Sequence, residues 1–396
     1  MDKLTVRDVP VRGKRVLVRV DFNVPLDKER GAVTDDTRIK ESLPTIRYLM
    51  DNGARVVLMS HLGRPDGKVV GSLRMGGVAK RLSELLGKPV RTVADCIGPE
   101  VEKAVGQLQA GEVVLLENIR FHAEEEKNDA AFSQALARLG DVFVNDAFGT
   151  THRAHASTVG VTRYLPSVAG LLVEKELKAL GQALEEPARP FAALVGGAKI
   201  SDKMGVVGNI LKKLDLLLIG GGMAATFLKV KGLEVGGSLV EVDRIVWAEK
   251  MMREAEESRV RLLLPVDFVV SEKPDGSAPS QTVRANAIPA RSLVVDIGPE
   301  TVKSFSAELR KCKTVLWNGP MGIFEVPGFA SGTRAMAELL AGLNATTIVG
   351  GGSTAEAVVN MGLKDRMTHV STGGGASLTF LEGETLPGVA ALQDKK

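Results

Sequence analysis

The sequence has few cysteines, few aromatic residues and no long hydrophobic run. Two cysteines, Cys96 and Cys312, are too few for a disulfide framework or a zinc finger, and two free thiols suit a reducing cytoplasm. Aromatic residues make up 4% of the chain, which leaves little material for stacking on nucleic-acid bases. The longest uncharged stretch, residues 339–355, is interrupted by Asn344 and a glycine triplet, so it does not resemble a membrane span.

The net charge is also small. The chain has 51 basic and 48 acidic residues, and its net charge of +3 argues against a dedicated nucleic-acid-binding protein. The first ten residues lack the apolar core of a signal peptide. A chain of 396 residues that is 44% hydrophobic can form more than one core. We therefore expect a soluble cytoplasmic protein of two or three domains, with no nucleic-acid or membrane partner.

Short apolar segments alternate with amphipathic ones along most of the chain. Continuous apolar strands, each followed by a turn or a glycine, are typical of a parallel sheet covered on both faces. The pattern predicts an α/β fold of doubly wound parallel sheets. The predicted strands are Arg15–Val20, Arg55–Ser60, Glu112–Leu116, Val142–Val144, Phe191–Val195, Leu216–Ile219, Arg261–Pro265, Thr314–Trp317 and Thr346–Val349.

One helical segment, residues 171–186, has no predicted strand immediately before it. It is either one more crossover helix or a helix that joins two lobes. Sixteen arginines lie in residues 1–170 and ten in the longer remainder, whereas glycine triplets occur only after residue 200. This difference in chemistry favours two lobes, 1–170 and 187–382, with a joining helix between them.

Polar residues follow four predicted strands of the first lobe. Open α/β sheets bind ligands at the carboxyl ends of their strands. The turns there contain Asp21 and Asn23, then His61 and Arg64, then Arg120, and finally Arg153. Arg38 lies in a separate polar stretch. Since arginine binds phosphate and carboxylate through two parallel hydrogen bonds, the set fits a small doubly anionic ligand. Four of the five histidines also lie in these turns, but neighbouring arginines would repel a metal ion.

Glycine-rich turns characterise the second lobe. Gly196 and Gly197 follow a strand, and Lys199 and Lys203 are expected on the first turn of the next helix, which is a phosphate-binding arrangement. Two triplets, 220–222 and 350–352, also match the dinucleotide pattern G-x-G-x-x-A, which is weak on its own. Tight packing of the backbone is an alternative reason for each triplet.

Several of these strings together resemble the phosphoglycerate kinase family, in the family's order and over almost the whole chain. They are Asp21-Phe22-Asn23-Val24-Pro25, Ser60-His61-Leu62-Gly63-Arg64-Pro65, Val195-Gly196-Gly197-Ala198-Lys199, Trp317-Asn318-Gly319-Pro320 and Ser371-Thr372-Gly373-Gly374-Gly375-Ala376. The resemblance implies two Rossmann-like lobes joined by a hinge helix, with the tail 383–396 returning to the first lobe. It also implies a glycolytic monomer that transfers a phosphoryl group between 1,3-bisphosphoglycerate and ADP, giving 3-phosphoglycerate and ATP, with Mg²⁺ and hinge closure.

The resemblance further implies a role for each matching residue. The phosphoglycerate would be held by Asp21, Asn23, Arg38, His61, Arg64, Arg120 and Arg153. The nucleotide would be held by Gly197, Lys199, Lys203, Gly220, Gly221, Gly222, Asn318, Glu325, Gly350, Gly351, Gly352, Ser353 and Thr354. Catalysis would depend on Arg38, Lys199, Gly373, Gly374 and Gly375.

One residue departs from the family's string, which has aspartate where this chain has Ser353. A hydroxyl is a weaker magnesium ligand than a carboxylate, so the resemblance leaves the metal ligands unknown. Either phosphate and water oxygens hold the ion, or a nearby carboxylate does. Ser353 is alternatively the cap of the helix that follows the triplet. Two other functions remain open, an NAD-dependent dehydrogenase and a non-catalytic anion-binding protein.

Overall fold

The computed structural model describes residues 2–27 and 29–395 and divides into two units. The first unit comprises Met1–Lys178 and Thr385–Lys396, and the second comprises Ala179–Glu384. No helix among the described residues is both long and apolar enough to cross a membrane.

A parallel six-stranded sheet forms the centre of the first unit. Its strands are β1 Arg15–Arg19, β2 Arg55–Met59, β3 Val90–Thr92, β4 Val113–Leu115, β5 Val142–Asn145 and β6 Ser167–Ala169, in the order β3-β4-β2-β1-β5-β6. Its helices are α1 Thr37–Asp51, α2 Gly76–Leu86, α3 Pro99–Gly106, α4 Ala130–Ala137 and α5 Leu171–Glu185. Val16, Leu17 and Val18 of the central strand β1 have no solvent exposure, because helices cover both faces of the sheet.

The second unit repeats this plan and adds a small antiparallel sheet. Its parallel strands are β7 Phe191–Val195, β8 Leu216–Ile219, β9 Arg261–Leu263, β13 Thr314–Asn318, β14 Thr346–Gly350 and β15 His369–Val370, in the order β15-β14-β13-β7-β8-β9. The antiparallel strands are β10 Asp267–Ser271, β11 Ser280–Arg284 and β12 Leu293–Ile297, in the order β11-β10-β12. The helices are α6 Met204–Ile210, α7 Ala224–Val230, α8 Ile245–Glu257, α9 Pro299–Leu309, α10 Ser331–Ala341, α11 Gly352–Asn360 and α12 Gly375–Leu381.

The end of the chain packs on the first unit. Helix α13, Pro387–Ala390, is followed by residues that pair with the amino terminus. The amide of Leu4 donates to the carbonyl of Gln393, and the side chain of Asn145 donates to the carbonyl of Gly388 at 3.1 Å. These bonds attach the carboxyl-terminal segment to the same sheet that carries the polar turns.

The predicted parallel α/β architecture is confirmed, and all nine predicted strands occur with ends within two residues. The expectation that no strand precedes residues 171–186 is wrong, because β6 ends two residues before α5. Its three residues are too few to show a pattern. Strands β3, β10, β11, β12 and β15 were also not predicted. The exposed polar residues of β11 form no apolar run, whereas β10 and β12 are mostly buried.

Helix α5 spans the boundary between the units, which falls after Lys178. Its amino terminus is anchored in the first unit by a buried carboxyl group, since Asp146 Oδ1 accepts from the amide of Leu172 at 2.9 Å. Burial raises the pKa of Asp146 to about 8, although the amides of Leu172 and Val173 and the hydroxyl of Thr45 oppose the shift. Near neutral pH, protonation of this carboxyl group therefore stabilises the fold.

Stability should fall with rising pH because of Asp146. A pKa raised above the unfolded value contributes stability that is fully present below about pH 4 and is lost as the pH rises through about 8. Asp146→Asn imitates the protonated form, so its urea midpoint should match that of the unmodified protein near pH 4 and exceed it by a margin that grows up to about pH 8. Circular dichroism measures both midpoints. Exposed Asp51→Asn is the control, and an equal pH dependence in all three proteins would contradict the assignment.

Candidate functional site

The turn after β1 carries a buried carboxylate that binds an arginine. Arg38 Nη1 donates to Asp21 Oδ2 at 2.7 Å, and Asp21 is only 9% exposed. Burial raises the pKa of Asp21, but neighbouring positive charges, that of Arg38 foremost and that of Arg19, outweigh it, so the net pKa lies below its usual value. An ionised Asp21 thus orients Arg38, whose side chain remains 42% exposed and accessible to a ligand.

The turns after β1 and β2 are joined through Asn23. Its side-chain oxygen accepts from the amide of Gly63 at 2.8 Å. The carbonyl of Gly63 in turn accepts from Arg120 Nη1 at 3.1 Å. A single chain of hydrogen bonds therefore connects the turns that follow β1, β2 and β4.

His61 lies in the same network with its ring orientation fixed. Its Nδ1 lies 3.1 Å from Arg19 Nη2, and a guanidinium has only donors, so Nδ1 accepts and the ring proton is on Nε2. Burial holds the pKa of His61 well below its usual value; Arg19, Arg120 and Arg38 lower it further against the opposing charge of Asp21. His61 is therefore a neutral hydrogen-bond donor near pH 7.

Arg19 was missed by the sequence analysis, although it organises the network. Its side chain has no solvent exposure, and Nε donates to Ser157 Oγ at 2.8 Å. The same hydroxyl donates to Glu125, which is also fully buried. A charged residue inside the otherwise apolar segment Val16–Val20 was the available signal, but the predicted site residues all lie after predicted strands or in loops.

The remaining predicted arginines differ in how firmly they are held. Arg120 is nearly buried and lies 3.2 Å from Glu126 Oε1. Burial lowers the pKa of Arg120, Glu126 raises it, and nearby Arg153 lowers it. Arg153 is half-buried and its Nε lies 3.2 Å from His152 Nε2, whereas Arg64 is exposed. The structure thus brings Arg120 and Arg153 close to the network and leaves Arg64 at its exposed margin.

The four histidines of these turns do not form one group. His61 and His152 contact arginines, while His155 Nδ1 lies 3.8 Å from Glu125 Oε1. Burial, with the charges of Arg120 and other basic neighbours, lowers the pKa of His155 to about 4. His122 instead faces Asp95, at 2.7 Å.

The second unit contains a cavity of about 860 Å³ at the ends of β7, β8, β13 and β14. We call it the glycine pocket. The predicted nucleotide residues that line it are Gly197, Lys199, Lys203, Gly221, Gly222, Glu325, Gly351, Gly352, Ser353 and Thr354. Gly220, Asn318 and Gly350 are not part of the lining, because they lie at or next to the strand ends beneath it.

The third triplet, Gly373 to Gly375, is not part of this lining either. It leads into α12, which begins at Gly375, and it is Leu378 of that helix that lines the pocket. The cavity therefore brings together two of the three triplets, and the predicted role of the third is not explained by the pocket itself.

Backbone crowding explains some of the glycines and not others. At Gly221, φ is +63°, and a Cβ atom would lie 2.6 Å from the amide nitrogen of Gly197. At Gly352, by contrast, a Cβ atom would meet no atom within 4 Å. Packing therefore requires glycine at 221, whereas at 352 the protein leaves open space, as the close approach of a ligand would require.

Helix α6 begins later than the sequence suggested. Lys199 and Lys203 precede it instead of lying on its first turn, so that expectation is wrong. The amide and hydroxyl of Ser201 donate to Glu241, at 3.1 and 2.6 Å, and these bonds hold the segment in a turn. Lys203 Nζ donates to Asn318 Oδ1 at 2.5 Å, while Lys199 is exposed. Burial lowers the pKa of Lys203, and Asp202 and Glu382 oppose this.

Ser353 is the second residue of α11 and is exposed in the pocket. The N-cap of this helix is Gly351, with no side-chain cap, so the capping interpretation of Ser353 is wrong. Asp202 lines the same cavity and supplies a carboxylate there.

The fold and these two regions define a two-unit Rossmann-like α/β protein, with a cluster of arginines at the strand ends of one unit and a cavity lined by glycine backbone and lysines in the other. A family profile described as phosphoglycerate kinase matches residues 6–384. The phosphoglycerate kinases of Pelotomaculum thermopropionicum and Moorella thermoacetica are 59% and 56% identical to this chain over 395 residues, with 100% of each chain covered.

Solved structures agree with the sequence relatives. Phosphoglycerate kinase from Coxiella burnetii has a TM-score of 0.88 at 39% identity, and that from Pyrococcus horikoshii OT3 has 0.85 at 35%, each covering 98% of both chains. The chain therefore belongs to the phosphoglycerate kinase family and is an enzyme of glycolysis. The dehydrogenase and non-catalytic alternatives are not favoured by these matches.

The ring of His61 provides a direct test of the network. In nitrogen NMR spectra of histidine-labelled protein, His61 should stay neutral from about pH 8 to pH 6, since its pKa lies well below 6.5. Arg19→Met removes a positive charge and the donor to Nδ1, so the pKa of His61 should rise. Exposed Arg64→Met should leave it unchanged. Titration of His61 near its ordinary pKa in the unmodified protein would refute the proposed electrostatics.

Proposed function

We propose that this chain catalyses the family's reaction, the reversible transfer of a phosphoryl group between 1,3-bisphosphoglycerate and ADP to give 3-phosphoglycerate and ATP. In this proposal the first unit binds the phosphoglycerate and the second binds the nucleotide. The observation that carries it is the buried hydrogen-bond network that orients Asp21, Arg38, His61 and Arg120 at one sheet edge. Such a network holds donors ready for an anion before the ligand arrives.

Within the first unit, we assign the substrate phosphate to the basic residues and the glycerate end to the polar pair after β1. His61, Arg64, Arg120 and Arg153 supply donors for the phosphate. Asp21 and Asn23 face the hydroxyl and carboxyl groups. We assign Arg38, which Asp21 orients and which remains accessible, to the phosphoryl group that is transferred.

Within the second unit, we assign nucleotide phosphates to Lys199 and Lys203 and to the open backbone around Gly352. Glu325 at the pocket wall suits ribose hydroxyls. The Gly373–Gly375 backbone is proposed to donate to the transferring group. Helix α11 begins at Gly352 and helix α12 begins at Gly375, and the free amides at a helix amino terminus favour negative charge.

The chemistry needs positioning more than a protein nucleophile. A phosphoryl group passes between in-line oxygens through a transition state whose charge is spread over three equatorial oxygens. Arg38, Lys199 and the glycine amides neutralise that charge without changing their own protonation. Removing water from around these groups increases their effect.

Magnesium fits the glycine pocket as an ion held mainly by the nucleotide. The hard oxygen donors there include the Asp202 carboxylate and the Ser353 hydroxyl, besides Glu325, which we assign to the ribose. Mg²⁺ typically keeps several water ligands and binds through one or two carboxylates and phosphates. When bound, the ion neutralises phosphate charge. Asp202 is thus our candidate for the carboxylate that compensates for Ser353.

Arg38→Ala should lower kcat at least about 10²-fold, by analogy with the loss of one electrostatic stabiliser. Its KM for 3-phosphoglycerate should change much less, because an interaction made in the transition state appears in kcat. Steady-state assays of Mg²⁺- and ADP-dependent ATP formation measure both constants. The control is Arg47→Ala on the same helix, whose guanidinium binds the carbonyl of Leu85. A kcat within a few-fold of the unmodified enzyme would remove Arg38 from this role.

Ser353→Asp should tighten binding of Mg²⁺–ADP and weaken binding of metal-free ADP. The added carboxylate binds the ion but repels bare phosphates, so the two affinities move in opposite directions. Calorimetric titration with and without Mg²⁺ measures them, and neutral Ser353→Asn serves as the matched control. If both affinities move together or neither moves, position 353 does not contact the metal.

Transfer between ligands held by separate units requires closure about a hinge, for which we propose α5 and its ends, residues 171–186. Small-angle scattering should show a smaller radius of gyration with both ligands than with either alone. The same data should give the mass of one chain, since we propose a monomer. An unchanged radius in the ternary complex would count against closure. We also propose a cytoplasmic location, which cell fractionation tests.

A further inference from the structure

Three potential metal ligands converge outside both regions described above. Asp95, Cys96 and His122 each offer one donor atom, and these atoms lie within 4.8 Å of one another. The first two follow β3 and the third ends the 3₁₀ turn after β4, so two adjacent strands of the sheet bring them together. Across residues 2–27 and 29–395 this is the one such convergence of three or more ligating side chains.

We propose that Asp95, Cys96 and His122 bind Zn²⁺. Thiolate, imidazole and carboxylate are the ligand types that zinc takes in proteins, and a set of three with an open fourth position is common. Donor atoms around tetrahedral zinc are separated by about 3.3–3.8 Å, given bonds of roughly 2.0–2.3 Å. Because the donor atoms already lie within 4.8 Å of one another, side-chain rotations that shorten the longest separation by at most about 1 Å complete the site.

The ligands are already oriented in the metal-free protein. His122 Nε2 is 2.7 Å from Asp95 Oδ1, and the same oxygen accepts from the amide of Cys96 at 2.7 Å. The His122 ring packs on Phe132 with centroids 5.2 Å apart. A bound metal replaces the hydrogen bond between His122 and Asp95, and these two atoms then move apart from 2.7 Å to the separation of neighbouring zinc ligands.

Local charge suits a cation here, unlike at the other histidines. The charged groups that act on the Cys96 thiol are the carboxylates of Asp95 and Glu125. The arginines that argue against metal binding surround His61 and His155 instead. The sequence argument against a histidine-bound metal therefore does not apply to His122.

Solvent reaches the site from one side. Cys96 is buried, whereas the side chains of His122 and Asp95 are 27% and 51% exposed. Water thus supplies the fourth ligand, and an ion can enter without opening the core. Binding releases the thiol proton to water, and the imidazole proton moves from Nε2 to Nδ1 so that Nε2 bonds to the metal.

Cobalt titration tests the site without using substrates, so its outcome is independent of the proposed catalytic roles. Chelator-treated protein without nucleotide should bind one equivalent of Co²⁺, with a thiolate-to-cobalt charge-transfer band and the visible bands of four-coordinate cobalt. Zn²⁺ should abolish both. Cys96→Ser should lose the charge-transfer band, and His122→Gln should weaken cobalt binding at least about tenfold. The control Cys312→Ser, at the second buried cysteine, should keep both bands.

Three results would overturn the proposal: no charge-transfer band, a band that persists in Cys96→Ser, or equal loss of the band in Cys312→Ser. Cys96 is fully buried and its serine variant can fail to fold, which circular dichroism detects. In that case the partly exposed His122→Gln decides the question alone. An unchanged cobalt affinity in that variant would refute the site.

Discussion

The guanidinium of Arg19, which has no exposure to solvent, holds together the polar edge of the first unit. It donates to Ser157, which donates to Glu125, and on its other side it fixes the tautomer of His61. Taking a charge out of water is costly unless it is paired, and breaking a buried pair by removing one partner costs about 3–5 kcal/mol. The surrounding turns are therefore organised around the satisfaction of this one buried group.

Both units place positively charged or hydrogen-bond-donating groups near the ends of their strands, but they use different groups. In the first, long basic side chains gather at a sheet edge, and an ionised Asp21 holds Arg38 in place. In the second, bare backbone and two lysines line a cavity, with Lys203 held by Asn318. Guanidinium groups give directional recognition of a small anion, whereas backbone amides tolerate the close approach of a larger one. This difference agrees with the uneven use of arginine and glycine along the chain.

Much of the fold was predictable because buried parallel strands are continuous apolar runs. Strands such as Phe191–Val195 were predicted to the residue. Six strands were missed: β3, β6 and β15 have only two or three residues, β11 is polar and exposed, and β10 and β12 belong to the antiparallel sheet, which was not predicted. For the candidate sites, residues that directly follow strands were found from the sequence, but Arg19 was not, since it lies within one.

The sequence by itself determined the alternation of strands and helices, the family and the residues offered at the strand ends, because these depend on local pattern and spacing. Only the tertiary structure decided which of them act together. It joined Asn23 to Gly63, placed Ser353 inside α11 instead of at its cap, and brought Asp95 and Cys96 to His122. Such pairings depend on strand order and on where buried polar groups find partners, and neither is encoded in the spacing of residues along the chain.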